Sequence, residues 1–140
     1  MTDSNISDNP YALVVDDSFP LRAAVKSILK RSGFLVFEAD DGDAAFRLLE
    51  KSHSEVVLLF TDVQMTGDLD GFALARKVAE CWPQIAIVVA SGSIVPGPDC
   101  MPKKARFIAK PFSAELVQAH LLEILPDGQK PERLKKAKPL

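Results

Sequence analysis

The sequence predicts an α/β fold built on a five-stranded parallel sheet with helices on both faces. Three observations predict it. Short apolar runs alternate with stretches that repeat at helical spacing, the pattern of βαβ units. The apolar runs, such as residues 56–61, are nearly continuous rather than alternating, as in strands covered on both sides. The chain has 140 residues and is 47% hydrophobic, enough for one domain with a sizeable core.

The elements follow in order. Residues 11–15 read as a buried strand. Leu21, Val25, Ile28 and Leu29 then recur at helical spacing, with Ser18 as the cap and Pro20 in the first turn. Gly33 closes that helix, and residues 34–38 form a short second strand. Asp41-Gly42-Asp43 opens a second helix with Ala45, Phe46, Leu48 and Leu49 on its buried side. Residues 56–61 are the third strand. Asp70-Gly71 opens a third helix that runs to about Cys81 and is stopped by Pro83. Residues 85–90 and 105–109 are the fourth and fifth strands, and Ser113 caps a last helix reaching Leu125.

One segment breaks the alternation. Pro96, Gly97, Pro98 and Pro102 stand where a fourth helix should lie, and these residues are hostile to a regular helix. The fourth helix is expected to be short or replaced by a Pro-rich loop. The expected organisation is a flexible N-terminus over residues 1–10, a domain over 11–125, and a basic, mobile tail over 126–140 with little to bury.

A net charge of −2 excludes a general polyanion binder. The tail's last part, residues 129–140, is locally basic: Lys130, Arg133, Lys135, Lys136 and Lys138 face one acid, Glu132. It lacks aromatic residues and an amphipathic pattern, so a solvated tail is expected, with neither nucleic acid nor membrane as partner. The two cysteines, Cys81 and Cys100, fit neither a disulfide framework nor a zinc site. The first ten residues have no apolar signal core. No run approaches the roughly 20 apolar residues of a membrane helix. The plain reading is a reduced, cytoplasmic protein.

Four short sites sit just past the ends of apolar runs: Asp16-Asp17, Asp62, Ser91-Gly92 and Lys110-Pro111. If the runs are parallel strands, all four emerge at one sheet edge, where open α/β sheets bind ligands. Three crowded carboxylates repel one another unless a cation intervenes. Mg²⁺ suits them, being hard, oxygen-seeking and commonly shared with phosphate. Asp17 and Asp62 can be direct ligands, Asp16 can act through water, and the backbone carbonyl of Gln64 can complete the protein's share. Asp62 is then the nucleophile able to hold a phosphoryl group as an acyl phosphate. Ser91 can bond a phosphoryl oxygen, Gly92 lets backbone come close, and Lys110 supplies a cation. Lys110-Pro111 is a candidate cis peptide, with ordinary trans as the default.

In this order, Asp16-Asp17, Thr61-Asp62-Val63-Gln64-Met65, Asp70-Gly71-Phe72, Ala90-Ser91-Gly92 and Lys110-Pro111-Phe112 make the chain resemble the receiver domain of two-component response regulators, over about residues 11–125. The resemblance implies a flavodoxin-like sheet of order 2-1-3-4-5, with the crevice between its first and third strands. It implies a stand-alone receiver whose Asp62 takes its phosphoryl group from a sensor histidine kinase or histidine phosphotransfer protein. Only phosphotransfer and autodephosphorylation on itself are then expected, not enzymatic turnover. The phosphorylated chain is then expected either to switch binding of a downstream protein or to serve as a phosphate sink or relay intermediate, as a monomer or weak dimer. The family's switch pair corresponds to Ser91 and Phe107, and Phe107 carries no hydroxyl.

The chain departs from the family in two places. Met65-Thr66-Gly67 lacks the proline usually found after the methionine, and the loop looks extended by about two residues. The Pro-rich segment replaces the helix of the usual output face, which puts dimerisation through that face in doubt. Two rival functions are a receiver-fold binding module that works without phosphorylation and an aspartyl-nucleophile phosphatase. The intact set Asp16, Asp17, Asp62, Ser91 and Lys110 argues against the first. The adjacent Asp-Asp, instead of Asp-x-Asp, argues against the second.

Overall fold

The computed structural model describes residues 9–97 and 99–136. Five strands, β1 (Tyr11–Val15), β2 (Leu35–Ala39), β3 (Val56–Asp62), β4 (Ala86–Ser91) and β5 (Arg106–Ala109), form one sheet in the order β2-β1-β3-β4-β5. All pairings are parallel. The order reverses beside β1, so the C-terminal ends of β1 and β3 flank the crevice.

Four helices connect or follow these strands: α1 (Phe19–Arg31), α2 (Gly42–Ser52), α3 (Gly71–Cys81) and α4 (Ala114–Ile124). Each starts on a side-chain cap that satisfies an otherwise unpaired N–H. Ser18, Asp41, Asp70 and Ser113 accept from the amides of Leu21, Ala44, Ala73 and Leu116. Two apolar cores lie on opposite faces of the sheet. Ala45 and Leu49 of α2 and Leu74, Ala75 and Val78 of α3 cover one face. Val25 and Leu29 of α1 and Val117 and Leu121 of α4 cover the other. Leu21 does not join its helix's buried stripe but stays 47% exposed, because its position faces the open crevice rather than the sheet.

No regular helix occurs between β4 and β5 among the described residues, as the prolines require. Ile94, Cys100 and Met101 of this loop pack against the sheet face the missing helix would cover. The loop is pinned at its far end. Arg76 of α3 bonds the carbonyl of Cys100, and Lys104 Nζ donates to the carbonyls of Pro83 and, at 3.0 Å, Ile85.

The expectation of a basic tail with little to bury is corrected for its described residues, 126–136. A helical turn at Asp127–Gln129 leads to a short helix, α5 (Glu132–Lys136). Leu134 is 0% exposed within the core under α1 and α4. Gly33 explains the fit: it ends α1 with φ 104°, and a Cβ there would stand 2.6 Å from Pro131 Cβ. Only glycine both turns the chain there and lets the segment close over it. Residues 1–8, most of the expected flexible N-terminus, and 137–140 at the end of the tail lie outside the described residues.

Candidate functional site

The crevice is built by strand ends. Asp16 follows β1, and its amide donates to the carbonyl of Ala39 at the end of β2 (3.2 Å). Asp62 is the last residue of β3, and Ser91 the last of β4. Lys110 follows β5, and its amide donates to the carbonyl of Ser91 (2.9 Å). Parallel pairing thus delivers all four sites to one edge, as the sequence implies. Asp16, Asp17 and Asp62 each offer a carboxylate oxygen, all within 4.8 Å of one another.

Asp16 is the buried member, 4% exposed, and Asp17 is exposed. Burial pushes the Asp16 carboxyl above the ordinary carboxylate range, opposed by the Ser18 amide bond and reinforced by the Asp62 charge. That donor set of three close carboxylates, one of them desolvated, fits a hard divalent cation such as Mg²⁺. Lys110 Nζ donates to Asp62 Oδ1 at 2.6 Å and lies 3.8 Å from Asp16 Oδ2.

Ser91 is 3% exposed. Its Oγ accepts from the amides of Ser93 (3.3 Å) and Ile94 (3.0 Å). A serine hydroxyl has two lone pairs and one hydrogen, so these contacts use its acceptor capacity and leave O–H free to donate. Gly92 is not forced by packing, since a Cβ there would meet Lys110 Cβ at an ordinary 3.6 Å. Gln64 lies in the loop beyond β3, and its Oε1 accepts from Ser93 Oγ (3.1 Å). Phe107 is half-buried on β5 and packs at the margin of the core. The Lys110-Pro111 bond is cis, correcting the trans default.

Two participants escape a reading of the sequence. Gly71 opens α3 directly against the backbone after β3: a Cβ there would stand 2.0 Å from the Asp62 carbonyl oxygen and 2.7 Å from Val63 Cα. The sequence offers Asp70-Gly71 as a helix start and as part of the family resemblance, but not this backbone contact; Asp70 does cap α3. Arg22 donates from Nη1 to the carbonyl of Asp16 (2.7 Å) and from Nε to Glu38 Oε1 (3.1 Å). Nothing in the local sequence separates it from a surface arginine. Beside the acids, a largely apolar cavity of about 490 Å³ runs from Leu21 and Ala24 of α1 to Pro111 and Phe112, with Phe19 67% exposed nearby on α1.

A fold of this topology with acids, hydroxyl and lysine at one edge defines a receiver. Residues 12–122 match the family model of the response regulator receiver domain, and the chain belongs to that family. It is 34% identical over 122 residues to the two-component response regulator ORR11 of Oryza sativa, covering 84% of this chain and 82% of that protein. Against the autoinducer 1 sensor kinase/phosphatase LuxN of Vibrio harveyi it is 33% identical over 86 residues, covering 61% of this chain but only 10% of that protein. Among solved structures, the receiver domain of NtrX from Brucella abortus superimposes with a TM-score of 0.69 at 30% identity, covering 81% of this chain and 97% of that one. No helix of the described residues is long and apolar enough to cross a membrane.

Proposed function

We propose that this chain is a cytoplasmic, phosphorylation-controlled switch in which Asp62 accepts a phosphoryl group from a sensor histidine kinase or a histidine phosphotransfer protein. The observation that carries this reading is the convergence of three carboxylates within 4.8 Å with Lys110 Nζ held 2.6 Å from Asp62 Oδ1. Asp16, Asp17 and Asp62, with the Gln64 carbonyl, would hold Mg²⁺, which when bound offsets negative charge on the acids and on the transferring oxygens.

The chain's own residues do the rest. An Asp62 carboxylate oxygen attacks phosphorus, the phosphorus–nitrogen bond of the donor breaks, and the imidazole leaves with its electron pair and takes up a proton. The product is an acyl phosphate on Asp62. The Lys110 ammonium is close enough to Asp62 to pair with a phosphoryl oxygen, and the free O–H of Ser91 donates to another. Neither residue turns over an external substrate, so the chemistry is self-modification and self-hydrolysis. Because Ser91 also anchors the amides of Ser93 and Ile94, the phosphoryl group is coupled to the Pro-rich loop. Phe107, half-buried on the adjoining strand, is the aromatic residue placed to move with it. The output is binding of a downstream protein on that face, with the chain a monomer or weak dimer. The apolar cavity beside α1 and the exposed Phe19 suit the docking of an apolar face of the donor protein next to Asp62.

Beryllofluoride, a stable phosphoryl mimic, tests the reading. With Mg²⁺ present, wild type is expected to give bound fluoride resonances by ¹⁹F NMR, and Asp62→Asn none. Equal spectra for the two would sink it.

A further inference from the structure

Arg22 has no part in the chemistry above, yet it is one of the most constrained cations in the molecule. Its side chain is 16% exposed, and its guanidinium has three fixed neighbours. Nη1 donates to the Asp16 carbonyl at 2.7 Å. Nε donates to Glu38 Oε1 on β2 at 3.1 Å. The Phe19 ring lies beneath it at 5.5 Å. Glu38 is itself fixed from the other side by Lys26, at 2.7 Å.

The Asp16 carbonyl belongs to the planar peptide unit that joins Asp16 to Asp17. Holding that oxygen therefore fixes the plane from which both carboxylates leave the backbone. The other groups of Asp16 are also held: its amide by Ala39, and Oδ1 by the Ser18 amide at 2.9 Å. Without Arg22 the carbonyl would be the one loose corner of this turn. A guanidinium is suited to the task because its planar fork reaches two acceptors at once, whereas an ammonium is a point charge.

We propose that Arg22, braced by Glu38, is a positioning residue that sets the orientation of the Asp16–Asp17 peptide and thereby the divalent-cation affinity of the acidic cluster. This rests on the reading of that cluster as a Mg²⁺ site. Partners behind metal ligands commonly govern affinity about 10–100-fold, and Arg22 acts on two ligands through one bond.

The experiment is calorimetric titration of the full chain with Mg²⁺, beside a urea unfolding curve for each variant. Arg22→Met and Arg22→Lys are expected to bind Mg²⁺ about 10-fold or more weakly, and Glu38→Gln more weakly by a smaller factor. Lys26→Met, which strips Glu38 of its other cation and leaves the Asp16 carbonyl bond intact, is expected to stay within about twofold of wild type. If Arg22→Met does not fold, Arg22→Lys and Glu38→Gln carry the test. Affinities of the Arg22 variants within about twofold of wild type overturn the proposal, as does an equal loss in Lys26→Met. Failure of wild type itself to bind Mg²⁺ removes the cation reading and the proposal with it, a result distinguishable from the others.

Discussion

The Lys110 ammonium stands 2.6 Å from Asp62 Oδ1 and 3.8 Å from Asp16 Oδ2, so a single cation faces two of the three acids. It follows β5 directly, and the bond between its amide and Ser91 leaves its backbone little freedom. A charge-assisted hydrogen bond contributes about 1.5–3 kcal/mol. Lys110→Met is therefore expected to slow phosphorylation of Asp62 by about 10–100-fold, with Mg²⁺ binding retained. Phosphorylation rates from a small phosphodonor, followed by intact mass, check this.

Gly71 is expected to be intolerant of even one added carbon. An alanine Cβ would stand 2.0 Å from the Asp62 carbonyl oxygen, and the atoms it meets are backbone, which cannot rotate away. Overpacking of this kind costs about 1–3 kcal/mol, and here the shift falls on the phosphoacceptor itself. Urea unfolding of Gly71→Ala is expected to show that loss, and Mg²⁺ titration a weaker site.

The segment after α4 is structural. Leu134 is fully buried, and Leu134→Ala is expected to destabilise the domain by about 2–5 kcal/mol. Truncation after Leu125 should destabilise it likewise by exposing the core beneath. If thermal or chemical unfolding of Leu134→Ala matched wild type to within about 0.5 kcal/mol, the tail would be the solvated extension that composition alone suggests.

Ser91→Ala removes the acceptor for two loop amides at once. Hydrogen exchange at Ser93 and Ile94 is expected to rise in the unphosphorylated protein. The further change that beryllofluoride produces in wild type should be lost or strongly reduced. Unchanged exchange at both amides would separate the Pro-rich loop from the hydroxyl.

Two acids give opposite pH dependences. Lys26, then Arg22, hold the Glu38 carboxyl below its ordinary 4.5. Its stabilisation is complete above about 4.5 and is lost as pH falls through the lower folded value. Asp16 is raised above 3.8 by burial, so the folded apo-protein gains stability when it is protonated and loses it as pH rises through that window. Unfolding curves from pH 3 to 7, without metal, are expected to show a shallower acid decline for Glu38→Gln than for wild type. For Asp16→Asn they are expected to show a gain in stability that appears as pH rises.

The sheet and the strand-end sites were legible because both depend on short-range pattern. Continuous apolar runs, caps at Ser18, Asp41, Asp70 and Ser113, and the prolines between β4 and β5 each act through local backbone chemistry. The placement of Asp16, Asp62, Ser91 and Lys110 then follows from parallel pairing alone. What was not legible depends on partners distant in sequence. Arg22 on α1 is defined by Glu38 on β2, Gly71 by the backbone it leans on, and Leu134 by a core that closes around Gly33. Composition around Leu134, with Lys135 and Lys136 beside it, reads as solvated. One leucine and Pro131 are enough to dock it.

The most direct test of the central claim is intact mass after incubation with a small phosphodonor, with and without Mg²⁺, on wild type and Asp62→Asn. A single phosphoryl increment on wild type, dependent on Mg²⁺ and absent from Asp62→Asn, is the predicted result. An increment that persists in Asp62→Asn, or no increment on wild type together with no engagement of beryllofluoride, would contradict Asp62 as the acceptor.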